Sequence, residues 1–382
     1  ISETTGWVTG WTGTILYTED GGNEWTPLSP PPVNAYEAIY FVDDQTGWAA
    51  GYGGKIIHTN DGGETWSEQV SGTQFSVYDI QFINADTGWA VSSRFEGFNT
   101  DPARRIHGTT DGGETWTLLF GENDEPPLLS LFFKDAANGF AVGETGTILR
   151  STDGGNSWTE LMQDNQFHFR DVFFLDAYNG FVVGTDLSLD HKAVIFHTTD
   201  GGETWDSNFF DDDQSLQGVF FTSSDEGWAV GGDAAQGAVI LHTEDGGENW
   251  EYQEVAGAQS LTKVCFISDE LGWAVGYDGT IITTSSPVSV NENEFSSENP
   301  LQVKVYPVPF DRTTTLEYGL EKAAEVQVTI LNQLGRTVYK TRDLKGAGQQ
   351  KISWDAGGLP QGFYFYTLQA GDHLVSGKML KH

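Results

Sequence analysis

The sequence predicts an all-β protein: a seven-bladed β-propeller followed by a small Ig-like β-sandwich. Three observations predict it. The phrase Asp-Gly-Gly-x-x-Trp occurs six times, at steps of 41 to 50 residues. Gly followed by Trp or Phe occurs seven times in phase with it. A polar stretch then separates this region from a segment of alternating apolar residues. We expect the propeller at 1–286, a linker at 287–300 and the sandwich at 301–382, because repeats of this length are typical of propellers.

Each repeat contains four short runs rich in β-branched and aromatic residues. In the fifth copy they are 169–174 (strand A), 180–184 (strand B), 194–198 (strand C) and a strand D that starts at Trp205. No stretch has the apolar spacing of a ten-residue amphipathic helix. Four strands per repeat are typical of a propeller blade, and seven copies predict seven blades.

The Asp-Gly-Gly phrase falls between strands C and D, so it predicts a hairpin turn. Glycine supplies the positive φ that such turns need, and aspartate accepts bonds from the following amides. We expect these residues to be structural: Asp20, Trp25, Asp61, Trp66, Asp111, Trp116, Asp153, Trp158, Asp200, Trp205, Asp245 and Trp250.

The ends of the ring differ from the other repeats. The first copy lacks most of strand A, and the last copy lacks strand D. The chain starts with Ile1 and shows no signal peptide. We therefore expect an N-terminal truncation, whose missing segment would supply a strand D to the seventh blade and a strand A to the first.

These phrases resemble the Asp-box of sialidases and related propellers. The longer pattern, Gly-Trp-Ala-Val-Gly and then Gly-x-Ile-x-x-Thr-x-Asp-Gly-Gly-x-x-Trp, is more similar to photosystem II assembly-factor propellers over roughly residues 1–284. This resemblance implies a fold and says little about function, because one fold hosts many functions.

The last segment closely resembles the C-terminal sorting domain of the Bacteroidetes type IX secretion system. The matching phrases lie at 306–310, 332–336, 354–355, 359–364 and 377–378, and the chain departs from the pattern at Val308, where the family usually has Asn. The resemblance implies handling by the type IX secretion machinery, export across the outer membrane, and release or attachment at the cell surface. It implies no chemistry for this domain.

Charge excludes several partners. The chain has a net charge of −36, and the propeller region holds nearly all of the excess acid. Such a surface does not bind nucleic acid through phosphate neutralisation, and anionic lipid repels it. No apolar run approaches the length of a membrane span. Solubility outside the cell is the simpler explanation of the acid, and loops that bind Ca²⁺ or basic partners are the other.

Cysteine and histidine give no chemistry. Cys265 is the only cysteine, so no disulfide forms within the chain, and we expect it to be a buried structural thiol in strand A of blade seven. His58, His197 and His242 share one register of strand C on separate blades. We therefore expect no shared metal and no cofactor.

The B–C and D–A loops of a propeller share one face, on which members of the fold usually bind ligands. The B–C turns of blades one, two and seven carry Trp11, Tyr52 and Tyr277. These blades are neighbours in a closed ring, so we expect one aromatic patch that stacks on a sugar or anchors a protein. Chance tolerance of aromatics at turn tips is the alternative.

The longest insertion, 92–107 in blade three, carries Arg94, Arg104 and Arg105. A long loop with concentrated special residues is a candidate binding site, and local charge compensation is the alternative. The run Asp211–Asp213 offers weak support for a Ca²⁺ site, because it lacks the spacing of known calcium loops.

A sialidase needs an arginine triad contributed by several blades around a carboxylate. Here three arginines share one insertion, and only Arg150 and Arg170 remain in the propeller. The sequence therefore predicts a secreted or surface-displayed binding module for a protein or glycan rather than an enzyme. The alternative is a polysaccharide hydrolase with a carboxylate pair on the loop face.

Overall fold

The computed structural model describes residues 2–95, 102–188, 192–210, 214–233, 237–253, 255, 258–268, 271–284, 303–306, 310–320, 322–332, 337–370 and 373–381. The chain forms two compact units, Ile1–Pro287 and Val288–His382. No helix in the described ranges is long and apolar enough to cross a membrane.

The described part of the first unit forms seven antiparallel sheets, each built from strands consecutive in sequence. This confirms the predicted all-β propeller. The strands, blade by blade, are β1 Gly6–Thr9, β2 Ile15–Thr18, β3 Thr26–Pro27; β4 Tyr36–Phe41, β5 Gly47–Gly51, β6 Ile56–Thr59, β7 Ser67–Gln69; β8 Ser76–Phe82, β9 Gly88–Arg94, β10 Ala103–Thr109, β11 Thr117–Asn123; β12 Leu128–Phe133, β13 Gly139–Gly143, β14 Thr147–Ser151, β15 Thr159–Met162; β16 Phe167–Phe174, β17 Gly180–Asp186, β18 Ala193–Thr198, β19 Asp206–Phe210; β20 Leu216–Phe221, β21 Gly227–Asp233, β22 Gly237–Thr243, β23 Glu251–Gln253; β24 Leu261–Phe266, β25 Gly272–Gly276, β26 Ile281–Thr283. Short 3-10 turns occupy Tyr52–Gly54, Glu144–Gly146 and Tyr277–Gly279.

Aromatic stacking joins each blade to the next. The aromatic residue of every Gly-Trp or Gly-Phe phrase from blade one to blade six stacks on the strand A phenylalanine of the following blade; Trp48 and Phe82, for example, have ring centroids 3.6 Å apart. In blades two to six, the Trp that closes the Asp-box then meets the same phenylalanine edge-on, as Trp116 meets Phe82 at 5.9 Å. Such contacts bury large apolar area in a fixed geometry.

The glycine of the same phrase is required by close packing. A Cβ on Gly88 would lie 2.5 Å from the ring of Phe82, which crosses it from strand A of its own blade. The same clash is found at Gly47, Gly139, Gly180, Gly227 and Gly272. In this two-residue phrase, the glycine therefore leaves space for the phenylalanine of its own blade, and the aromatic residue stacks on the phenylalanine of the next blade.

Two faces follow from the alternating strand directions. The A–B and C–D turns lie on one face, called the Asp-box face, and the B–C and D–A connections lie on the other, called the loop face. Strand B extends over seven residues in blades three, five and six, against five in blades two, four and seven. At ~3.3 Å per residue, these three hairpins are longer by about 7 Å on the loop face.

The first and last sheets contain three described strands each, β1–β3 and β24–β26. They meet on the Asp-box face, where the Trp273 indole donates to the Gly21 carbonyl at 3.2 Å. Cys265 of β24 is exposed, and the prediction that it is a buried thiol is wrong.

The described part of the second unit comprises two sheets, one of order β27-β28-β31 and one of order β30-β29-β32-β33. Their strands are β27 Lys304–Tyr306, β28 Thr313–Leu320, β29 Ala324–Asn332, β30 Thr337–Lys345, β31 Gly348–Asp355, β32 Gly362–Ala370 and β33 His373–Lys381. Alternate side chains of both sheets fill one core around Leu316, Val328 and Trp354, which makes the unit a sandwich. Its immunoglobulin-like topology stays a prediction.

Candidate functional site

The six Asp-boxes have one hydrogen-bonded geometry. In blade two the Thr59 hydroxyl donates to the Asp61 carboxylate at 2.7 Å and accepts from the Gly63 amide at 2.9 Å. The amide and hydroxyl of Thr65 bond the same carboxylate at 2.9 and 2.6 Å. These bonds lower the pKa of Asp61 to about 2, and the bond from the Thr65 side chain contributes most to this shift. The carboxylate is thus engaged by its own turn.

The Asp-box of one blade also receives the tryptophan of the blade before it. The indoles of Trp7, Trp48 and Trp89 donate to the carbonyls of Gly62, Gly112 and Gly154, each at 2.9 Å. This bond explains why the two phrases keep the same phase along the chain.

The predicted aromatic residues lie where expected on the loop face. Trp11, Tyr52 and Tyr277 occupy equivalent B–C turns of blades one, two and seven, and their exposed fractions are 72%, 55% and 51%. Large side chains in a propeller are otherwise mostly consumed by packing between blades. These three are available to a ligand.

The arginines of blade three lie in strands rather than in a loop, because β9 and β10 extend towards the tip of the hairpin. Arg104 is 3% exposed. Its guanidinium bonds Glu122 and lies 3.8 and 3.7 Å from Glu125 and Glu160. The expectation that Arg104 belongs to a long loop is wrong, since it lies in β10, where Glu122 and Glu160 of neighbouring strands and Glu125 of the connection after β11 surround its guanidinium.

Arg94 and Arg105 instead frame an aromatic ring on the loop face. Their guanidinium carbons lie 4.9 and 5.2 Å from the ring centroid of Phe75, within cation–π range. Arg105 also donates to the Asn123 side chain at 2.6 Å. Next to them, Tyr78 meets Phe95 edge-on at 5.6 Å. Sequence reasoning missed Phe75 and Tyr78, which come from the preceding D–A connection and from strand A.

A polar chain crosses the centre of the ring. The Ser130 hydroxyl lies 2.8 Å from carboxylate oxygens of both Asp79 and Asp171, and the Lys263 ammonium lies 2.8 Å from Asp171. One hydroxyl hydrogen serves only one of these acceptors, so a second proton is needed. Burial raises the pKa of Asp79, the charge of Lys263 opposes this shift, and the charge of Asp171 adds to it. Uptake of a proton by Asp79 would provide the second hydrogen bond.

The four residues of this central chain belong to strand A of blades three, four, five and seven. A bulge precedes each of them and turns the side chain towards the ring axis. Sequence reasoning missed them because it did not compare the strand A residues of different blades position by position. Aligning the six strand A segments residue by residue would have shown the column.

The remaining arginines do not complete a sialidase triad. Arg150 pairs with Glu203 at 2.9 Å, beside the Asp-box of the next blade and on the face opposite the loops. Arg170 lies in the strand A bulge of blade five, and its Nε is buried without a hydrogen-bond partner. Arg94, Arg104 and Arg105 lie in strands of blade three. The five guanidinium groups of the propeller are therefore spread over separate surfaces.

The three strand C histidines stack on strand B aromatics of their own blades, at 4.9, 4.3 and 4.8 Å for His58, His197 and His242. They are separate, as predicted. Sequence reasoning compared them only with one another, however, and missed that His242 lies beside Glu226 and Glu244. The run Asp211–Asp213, considered for Ca²⁺, lies outside the described residues.

Two family models match the chain, one over the first unit and one over the second. The family model described as photosynthesis system II assembly factor YCF48 matches residues 1–75, 68–168, 122–212 and 159–257. The model described as secretion system C-terminal sorting domain matches residues 304–382. No curated protein matches the chain.

Solved structures with the same fold include a YCF48 bound to D1 peptide, at 19% identity and TM-score 0.58, over 74% of this chain and 88% of that one. YCF48 from Cyanidioschyzon merolae is 18% identical, with TM-score 0.55, over 74% and 91%. The GH74 enzyme of Niastella koreensis is 14% identical, with TM-score 0.58, over 100% and 72%. At these identities the likeness establishes the propeller fold alone.

The sorting domain marks the protein for export by type IX secretion, to the cell surface or the medium. The chain belongs to the photosynthesis system II assembly factor YCF48 family of propellers and carries a secretion sorting domain behind its propeller.

Proposed function

We propose that the propeller is a non-catalytic binding module whose loop face holds a segment of another protein outside the cell. The observation that carries this proposal is the exposure of Trp11, Tyr52 and Tyr277 at equivalent turns of consecutive blades. Exposed aromatic side chains supply large contact area at small entropic cost, and they dominate the energetics of protein recognition.

A protein ligand is favoured over a nucleic acid or a membrane by charge. The chain carries a net charge of −36, which favours basic or neutral partners. The fold neighbour bound to D1 peptide shows that a propeller of this family can hold a polypeptide. A glycan that stacks on the same aromatic rings is the competing ligand class.

The central carboxylates support binding rather than hydrolysis. A retaining glycosidase places its two carboxyl groups about 5–5.5 Å apart with the sugar between them. Between Asp79 and Asp171 that space holds the Ser130 hydroxyl, and Asp171 is 7% exposed. A glycosidic bond has no room there.

A hydrolase is the second candidate, because a GH74 enzyme shares the fold over the whole chain. Arrays of peptides and of glycans, probed with the full chain, separate the ligand classes, and assays of reducing-sugar release on plant and microbial polysaccharides separate binding from hydrolysis. We expect peptide binding that Trp11→Ala weakens at least tenfold, and no sugar release. Release that depends on a loop-face carboxylate would overturn the proposal.

A further inference from the structure

Blade six carries a cluster of metal-ligating side chains on the Asp-box face, away from the proposed ligand surface. Glu226, His242 and Glu244 each offer one ligand atom, and these atoms all lie within 4.8 Å of one another. The His242 Nε2 lies 2.7 Å from a Glu226 oxygen. Two carboxylates and an imidazole are ligands that zinc accepts.

Three different segments hold the cluster. Glu226 ends the A–B turn just before β21, His242 is the next-to-last residue of β22, and Glu244 opens the turn that contains Asp245. The imidazole stacks on Trp228 at 4.8 Å with a 20° interplanar angle, which fixes its plane. A ligand set on strand ends, with an oriented histidine, is partly preorganised.

The other blades provide a comparison inside the same chain. His58 and His197 hold the register of His242 and stack on the equivalent ring. The residues at the positions of Glu226 and Glu244 are Thr46 and Asn60 in blade two, and Asn179 and Thr199 in blade five. In the sequence, blade six alone combines the histidine with two carboxylates.

From this cluster we propose a Zn²⁺ site formed by Glu226, His242 and Glu244. Tetrahedral zinc with bonds of ~2.0–2.1 Å holds its donors about 3.4 Å apart. The 2.7 Å contact therefore lengthens, and donors at the 4.8 Å limit approach by about 1.5 Å. The exposed Glu244 side chain is free to make that adjustment by rotamer change.

Asp245 is not a fourth ligand, because its two oxygens already accept bonds from Thr243 and from the amide and side chain of Asn249. The fourth zinc position is then left for water or for a group of a partner. Bound zinc would join the A–B turn of blade six to its Asp-box and would neutralise the two glutamates.

The test is calorimetric titration of the full, tag-free chain with ZnCl₂. The exposed Cys265 is also a zinc ligand by nature, so all variants carry Cys265→Ser. We expect one site of micromolar or tighter affinity, weakened at least tenfold by His242→Gln, by Glu226→Gln and by Glu244→Gln. The matched substitution His197→Gln leaves it unchanged.

Cobalt gives an independent readout, because tetrahedral Co²⁺ absorbs visible light strongly. We expect this band in the parent protein and in His197→Gln, and not in His242→Gln. Unfolding curves of the three metal-free proteins establish that each is folded. Absence of zinc binding in the parent, or equal losses in His242→Gln and His197→Gln, overturns the proposal.

Discussion

The two faces of the propeller are built by opposite uses of the same repeat. On the Asp-box face, the first six blades repeat one turn, one aromatic stack and nearly one set of hydrogen bonds. On the loop face, strand lengths differ between blades and aromatic tips occur on some blades only. Repetition maintains the ring, and variation around it creates a surface that differs from blade to blade.

Removal of one repeated aromatic ring should have the largest effect on stability. Trp48 is fully buried, stacks on Phe82 and donates to Gly112. We expect Trp48→Ala to lower the free energy of unfolding by about 3–5 kcal/mol, since it removes a large core side chain. Denaturant unfolding followed by circular dichroism measures it.

A matched substitution separates stacking from hydrogen bonding. Trp89→Phe keeps a six-membered ring over Phe133 and removes the indole N–H that donates to Gly154, together with a small part of the ring volume. We expect a loss of about 1 kcal/mol. Losses of similar size for Trp48→Ala and Trp89→Phe would contradict the role assigned to the stack.

The central chain gives the next largest effect. Lys263→Met leaves Asp79 and Asp171 without their cation. The side chain of Lys263 is 45% exposed, so we expect a loss of about 2 kcal/mol rather than the full cost of a buried pair. The loss should shrink as the pH falls and a carboxyl takes up a proton, and a loss that does not change with pH would exclude this explanation.

A change of pH should alter the stability contributions of Asp61, in an Asp-box, and of Asp79, in the central chain, in opposite directions. Asp61 has its pKa lowered to about 2 in the folded protein, so its contribution to stability is present above pH ~4 and is lost as pH falls towards 2. Burial raises the pKa of Asp79, so its contribution is present at low pH and is lost as pH rises through its folded pKa.

We therefore expect Asp61→Asn to reduce the loss of stability between pH 4 and 2, and Asp79→Asn to reduce the loss as pH rises above 4. Unfolding free energies measured from pH 2 to 8 show which limb each substitution changes. Both substitutions acting on the same limb would contradict the raised pKa of Asp79.

The smallest expected change in stability comes from placing a tryptophan in blade five at the position where most blades have one. In blade five Phe181 replaces the usual tryptophan, and a cavity of about 320 Å³ lies beside it, lined by His197, Asn179 and Gly246. We expect Phe181→Trp to fill part of this space, donate to the Gly246 carbonyl and raise stability by about 0.5–1 kcal/mol. Thermal unfolding checks it, and a lowered melting temperature would show that the cavity does not accept the larger ring.

The sequence predicted the Asp-box face better than the rest. Asp61 and its equivalents stand in a fixed phrase whose turn chemistry is local, so the pattern determines their geometry. The central chain depends on one polar residue from each of four distant strands, and no short phrase contains them. Arg104 was misplaced because its environment is set by glutamates of other segments and not by its neighbours in sequence. Trp11, Tyr52 and Tyr277 were located by the register alone.

We propose that the loop face binds the ligand while the Asp-box face maintains the ring. The test compares the parent chain with a triple variant, Trp11→Ala/Tyr52→Ala/Tyr277→Ala, and with the single variant Tyr178→Ala. For each, we would measure the affinity for the peptide that the parent binds best on the array and the free energy of unfolding. Tyr178 is a matched control, since it is 65% exposed on an A–B turn of the Asp-box face. We predict that the triple variant loses at least tenfold in affinity with unfolding unchanged within about 0.5 kcal/mol per site, and that Tyr178→Ala retains full affinity. Equal affinity in the parent and the triple variant, or a loss with Tyr178→Ala alone, would contradict the claim.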